Sequence, residues 1–203
     1  MKIQIETRLL KAALQVAPKA DVRYFLNAVQ LEVREHHITA AATDGHILFA
    51  GRVDRPDVDS NGPVPETSCN VLIPREAVDA ALKGYKGDTI ELECNATNGQ
   101  HRLGQTLFNE VDGKFPDWRK AIPKDKEITG EPAQYDPKIL MQAHEALAAW
   151  SEKTPANFAG PHLHMAGEKA AIAQCKLDEY KDAFCLVMPR RSEHTLSIGW
   201  ARA

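Results

Sequence analysis

A strand, a short helix, then three more strands: this order recurs three times along the chain, and such a repeat restricts the fold more than composition does. The first unit covers residues 1–55. In Met1–Thr7 the apolar Ile3 and Ile5 alternate with Lys2, Gln4 and Glu6, the period of a half-buried strand. Thr7 is placed to cap a helix whose Leu10, Ala13, Leu14 and Ala17 share one face. Val29, Leu31 and Val33 alternate again. Ile38–Ala42 and Ile47–Val53 follow as strands, joined by the turn-former Asp44-Gly45.

The second unit opens with a strand at Val71–Ile73. Pro74 suits a first helical turn, and Ala77, Val78, Ala81 and Leu82 form the helix face. Ile90, Leu92 and Cys94 alternate, Asn98-Gly99 turns the chain, and Gln105–Glu110 returns it. The third unit starts near Gln134. Pro137 opens a helix with Ile139, Leu140, Ala143, Leu147 and Trp150 on one side, and strands follow at His162–Met165, Lys169–Cys175 and Ala183–Met188. Arg8, Arg75 and Lys138 mark the helix starts, 67 and then 63 residues apart. One such unit cannot bury its sheet alone. The expected class is α+β, with helices on one face of antiparallel sheets and units paired through both. Asp54–Ser68, rich in Pro, Gly, Ser and Asp, reads as a loop or linker between the first two units.

At 203 residues the chain is long enough to bury a sizeable core. A net charge of −3 and a pI near 6.2 carry no bulk basic signature, so a nucleic-acid role requires a local patch. Cys69, Cys94, Cys175 and Cys185 form no CxxC pair and read as buried thiols in a reducing compartment. No charged-then-apolar leader opens the chain and no apolar run approaches 18 residues, so a soluble, cytoplasmic protein without membrane spans is expected.

Catalytic and metal chemistry find little support. His162-Leu-His164 places two imidazoles on one strand, without a third ligand at suitable spacing. His46 sits in the Asp-Gly turn, and no motif sets a Ser or Cys nucleophile beside it. There is neither a GxGxxG nor a P-loop. The expectation is a non-catalytic protein without cofactor or metal.

The most informative loop is Val111-Asp-Gly-Lys-Phe-Pro-Asp-Trp-Arg-Lys-Ala-Ile-Pro123. A solvated loop does not need Phe115 and Trp118, and two prolines stiffen the backbone. The loop lies between the second and third units, where clefts form and ligands bind.

Three segments together resemble the sliding clamp family of bacterial replication, the beta subunit of DNA polymerase III. They are Asp21-Val-Arg-Tyr-Phe-Leu-Asn27 with Ala42-Thr-Asp-Gly-His46; Val111–Arg119 with Pro123; and Ala183-Phe-Cys-Leu-Val-Met-Pro189. They match, in order, the family's middle domain and the end of its last one. The resemblance implies a DNA-clamp fold, with residues 1–123 a complete clamp domain (half-units 1–55 and 68–123), 124–191 a half domain and 192–203 a tail. Family clamps have three domains of two half-units and close as a dimer of twelve half-units. This chain resembles a reduced clamp with three.

The resemblance implies a processivity factor that encircles double-stranded DNA and binds polymerase or other partner peptides in a cleft between domains. Carried over residue by residue, the cleft wall is Leu26, Thr43, Gly45, His46, Ile47, Leu48, Pro116, Lys120, Ala121, Leu186, Met188 and Arg190. Ile47 and Lys120 stand where the family usually has Arg. These residues suit an extended peptide with apolar anchors, such as the family's Gln-Leu-x-Leu-Phe motif. Arg8, Lys11, Gln15, Arg23, Tyr24 and Arg75 are the implied DNA contacts, through phosphates rather than bases. Glu76 follows Arg75 where the family has a second basic residue, and Asp79 and Glu145 dilute the face further. The alternative is a clamp relative that keeps the cleft, forms no ring and competes for clamp partners.

If twelve half-units close a ring, three per chain call for a homotetramer. The tail runs Thr195-Leu-Ser-Ile-Gly-Trp200, and Leu196, Ile198 and Trp200 follow the longer form of a clamp-binding motif without its Gln. The plainer reading of the tail is an added edge strand or a frayed end; the other is a segment that docks in a clamp cleft.

Overall fold

A computed structural model describes residues 2–55, 68–94, 100–176 and 180–190. Strand β1 (Lys2–Glu6) runs directly into helix α1 (Thr7–Val16), and β2 (Ala28–Val33), β3 (His37–Thr43) and β4 (Ile47–Asp54) form a meander. Strand β5 (Cys69–Pro74) leads into α2 (Arg75–Leu82), then β6 (Thr89–Glu93), β7 (Gln100–Leu103) and β8 (Thr106–Asn109). Helix α3 (Pro137–Trp150) precedes β9 (His162–His164), β10 (Ala171–Gln174) and β11 (Ala183–Val187).

The first two units exchange their opening strands. β1 joins β6 in a four-stranded sheet of order β1-β6-β7-β8, whereas β5 joins β2 in a seven-stranded sheet of order β5-β2-β3-β4-β11-β10-β9. Every pairing is antiparallel. The third unit continues the larger sheet through β11 on β4, with Leu186 opposite Leu48.

Three expectations change. No strand opens the third unit: the chain around Gln134 is irregular, and Asp136 caps α3 by accepting a hydrogen bond from the Lys138 N–H at 2.9 Å. Thr7 does not cap α1. Its hydroxyl donates to the Gly87 carbonyl at 3.0 Å, because β1 and β6 are paired up to that point. Two of the four cysteines, Cys69 and Cys94, are half-buried rather than core thiols.

The larger sheet is buried on both faces. On one face Phe49, Ile38, Cys185 and Val187 pack against Leu9, Leu10, Ala13, Leu147 and Trp150 of the helices. On the other, Ala41, Leu48, Ala50, Leu72 and Leu186 meet Phe115 and Trp118. This is why Ile47–Ala50 is a continuous apolar run instead of an alternating one. Each fully buried Leu, Ile or Phe here contributes about 1.5–3 kcal/mol. Gly51 allows the helix layer to approach: a Cβ there would lie 2.8 Å from the Phe49 ring and 3.1 Å from Leu9.

Candidate binding cleft and charged face

The 111–123 loop hangs from the edge of β5. The Leu72 N–H donates to Glu110 Oε1 at 2.8 Å, and the Val111 N–H donates to the Leu72 carbonyl at 3.0 Å. From that root the loop folds over the sheet and inserts Phe115 and Trp118 beside Leu26, Leu48 and Leu186. Trp118 packs against Phe184 of β11, with ring centroids 6.2 Å apart. Arg119 stacks 4.1 Å over the Trp118 ring and forks onto Glu32 at 2.8 and 2.7 Å. Glu32 is almost wholly buried on β2, and Arg119 above all holds its carboxyl below the ordinary glutamate range, against the opposing effect of burial. Pro116, Lys120 and Ala121 remain on the loop's exposed side, with Lys120 Nζ 3.2 Å from Asp117.

The turn between β3 and β4 is built by its own polar side chains. The Thr43 hydroxyl donates to the Ile47 carbonyl at 2.6 Å and accepts from the Gly45 N–H at 3.0 Å. Asp44 Oδ1 accepts from the His46 and Ile47 N–H groups at 2.8 and 2.9 Å. Gly45 has φ +89, and the Arg23 guanidinium lies where its Cβ would stand. The His46 carbonyl accepts from the Met188 N–H at 2.9 Å, which carries the β4–β11 ladder to its end. His46 and Met188 are exposed there, next in line to the buried Leu48 and Leu186. Arg190 is exposed, and its N–H donates to the Gln134 carbonyl at 2.7 Å.

One wall residue is corrected. Ile47 is 1% exposed and sits in the helix-side core, since successive strand residues point to opposite faces. Leu26, Leu48 and Leu186 gather in the outer cluster, and Thr43 spends its hydroxyl on the turn. A groove of about 580 Å³ opens elsewhere, against the four-stranded sheet, lined by Ala81, Tyr85, Ile90, Arg102 and Thr106 among others. None of the cleft or DNA-contact residues expected from sequence lines it.

Three cations read as DNA contacts are engaged within the chain. Arg8 Nε donates to Glu6 at 2.6 Å, and its guanidinium stacks 4.5 Å from the Trp150 ring centroid. Arg75 donates from Nε to the Ala17 carbonyl at 2.9 Å, closing the C-terminal end of α1. Arg23 forks onto Asp21 and donates to the Asp44 carbonyl at 2.8 Å, which holds the Asp21 carboxyl down at about 2. Lys11 and Gln15 lie on the outward stripe of α1, and Tyr24 is exposed beside Phe25. Leu196, Ile198 and Trp200 lie outside the described residues. Sequence reading missed the Glu32–Arg119 pair, because a Glu in an alternating strand carries no sign of a partner in a distant loop.

The architecture is that of the sliding clamps. The DNA polymerase sliding clamp from Bacillus subtilis superposes with a TM-score of 0.66 at 16% identity, over 95% of this chain and 65% of that one. The DNA polymerase III subunit beta from Pseudomonas aeruginosa gives 0.65 at 17% identity, over 94% and 66%. In sequence, the chain is similar to the beta sliding clamp of Pseudomonas putida, 32% identical over 173 residues, and to that of Escherichia coli, 29% identical over 171. Each alignment takes in 81% of this chain and 43% of the relative, so the chain spans less than half the length of these curated relatives. No family model matches the chain. The resemblance read from the three segments therefore holds in both sequence and fold.

Proposed function

We propose that the chain is a non-catalytic, clamp-like processivity factor that receives partner peptides at the exposed end of the β4–β11 ladder. The observation that carries this reading is the Leu48–Leu186 pair clustered with Phe115 and Trp118 of the loop that also bears Pro116, Lys120 and Ala121, with His46 and Met188 exposed at the end of the same ladder. The exposed Met188 beside this apolar cluster, with the cationic Lys120 and Arg190, suits an extended peptide with Leu and Phe anchors. Hydrogen exchange with and without a Gln-Leu-x-Leu-Phe peptide tests it. Added protection at residues 43–48, 116–121 and 186–188 is expected, and unchanged exchange there contradicts it.

In this reading residues 1–123 act as one clamp domain, 124–191 as a half domain, and chains assemble into a homo-oligomeric ring around double-stranded DNA in the cytoplasm. Three half-units per chain make a tetramer the closed form. A second reading, a non-encircling clamp relative that competes for partners, is favoured by the internal engagement of Arg8, Arg23 and Arg75. Retention on circular DNA with loss on linearisation supports the ring. A monomer by light scattering, with no such retention, supports the second.

A further inference from the structure

Cys69 and Cys94 are 25 positions apart and belong to different sheets, yet their thiols hydrogen-bond to each other. Cys69 opens β5, the edge strand of the seven-stranded sheet, opposite Val33 of β2. Cys94 directly follows β6 of the four-stranded sheet. Both side chains are half-buried against the helix-side core, within reach of a small solute. Charged groups ring the pair. Arg34 Nη1 donates to the Val33 and Cys69 carbonyls at 2.8 and 3.4 Å, so its guanidinium lies over the end of the β2–β5 ladder. Arg55 adds a second positive charge near Cys69, and the Glu110 carboxylate acts on both thiols. The remaining cysteines differ. Cys185 is fully buried, and Cys175 is buried against the Ser151 hydroxyl at 3.4 Å.

We propose that Cys69 and Cys94 form a reversible disulfide under peroxide, covalently joining β5 of one sheet to the end of β6 of the other. The hydrogen bond from Cys94 and the Arg34 guanidinium, which donates to the Cys69 carbonyl, favour a thiolate at Cys69, so Cys69 attacks first. Its sulfur takes one oxygen of hydrogen peroxide, the O–O bond breaks, and the departing hydroxide is protonated to water. Cys94 sulfur then attacks the Cys69 sulfenic acid, the S–O bond breaks, and the second oxygen leaves with the Cys94 proton as water. Two thiols are oxidised and one peroxide is reduced to two waters. A small dithiol reverses the change by exchange.

The consequence reaches the loop. Glu110 and Val111 hang from Leu72, three residues along β5 from Cys69, so the bond ties down the root of the 111–123 segment. Closing a loop of this length raises the thermal midpoint by roughly 5–10 °C.

The test is peroxide treatment of the whole protein, then alkylation and non-reducing peptide mapping by mass spectrometry. The expected result is one cross-linked peptide pair containing Cys69 and Cys94, with Cys175 and Cys185 still alkylated after denaturation and the link lost with dithiothreitol. Cys94→Ser should instead accumulate a dimedone-reactive sulfenic acid at Cys69. Full alkylation of both thiols after peroxide, or oxidation of Cys69 beyond the sulfenic acid without a link, overturns the proposal. The wild-type map decides the matter even if Cys94→Ser fails to fold.

Discussion

Arg119 grips Glu32 across 87 positions of sequence through two hydrogen bonds of 2.8 and 2.7 Å, with its guanidinium flat against Trp118. One side chain thus neutralises a nearly buried carboxylate and pins the loop that carries Pro116 and Lys120. Arg119 is half exposed, which discounts the pair. Arg119→Ala should cost about 1–2 kcal/mol in urea unfolding. Arg119→Lys should recover only part of that, since an ammonium cannot reproduce the fork.

The same pair predicts an acid response. The Glu32 carboxyl is held below its ordinary range in the folded protein, so it binds fewer protons there than in the unfolded chain. Its stabilisation is complete above the unfolded value and disappears as pH falls through the folded one. Thermal melts of wild type and Glu32→Gln, taken from about pH 6 down to about pH 2.5, should converge at the acid end. A constant gap across that range contradicts the assignment.

At the end of the β4–β11 ladder, exposure separates binding from folding. Leu48→Ala removes a buried side chain and should cost about 2–5 kcal/mol, so any binding loss there is confounded. Met188 is 43% exposed. Met188→Ala should move stability by less than about 1 kcal/mol while weakening peptide binding, as paired denaturation and titration would show.

On the helix face, the internal contacts sort the cations. Arg8→Ala should lower stability, because it strips Glu6 of its partner and Trp150 of its stacked cation. Lys11→Glu should leave the melting midpoint nearly unchanged but weaken DNA binding and flatten its salt dependence. Salt titrations of DNA affinity for the two variants check this. Equal effects on affinity would contradict the division of roles.

Much of this fold is legible from residue order. The alternation in Lys2–Glu6 and Val29–Val33, the Asp44-Gly45 turn and the α1 and α3 stripes all fall on the observed elements. The strand exchange between β1 and β5 is not legible, because alternation marks a strand without naming its neighbour. β7 was hidden for another reason: its inward positions are His101 and Leu103, and a buried histidine stacked on Phe108 breaks the apolar pattern. For the proposed cleft wall, family resemblance points to Ile47, but strand parity turns it into the helix-side core. Arg8, Arg23 and Arg75 look like free cations in sequence. Glu6, Asp21 and the carbonyl at the end of α1 occupy them only once the chain has folded.

The most direct measurement is the anisotropy of a labelled Gln-Leu-x-Leu-Phe peptide titrated with wild type and with Met188→Ala. Saturable wild-type binding is expected, weakened at least about tenfold in the variant, about 1.4 kcal/mol. No saturable binding, or equal affinity for both proteins, would contradict a peptide cleft at the end of β4 and β11.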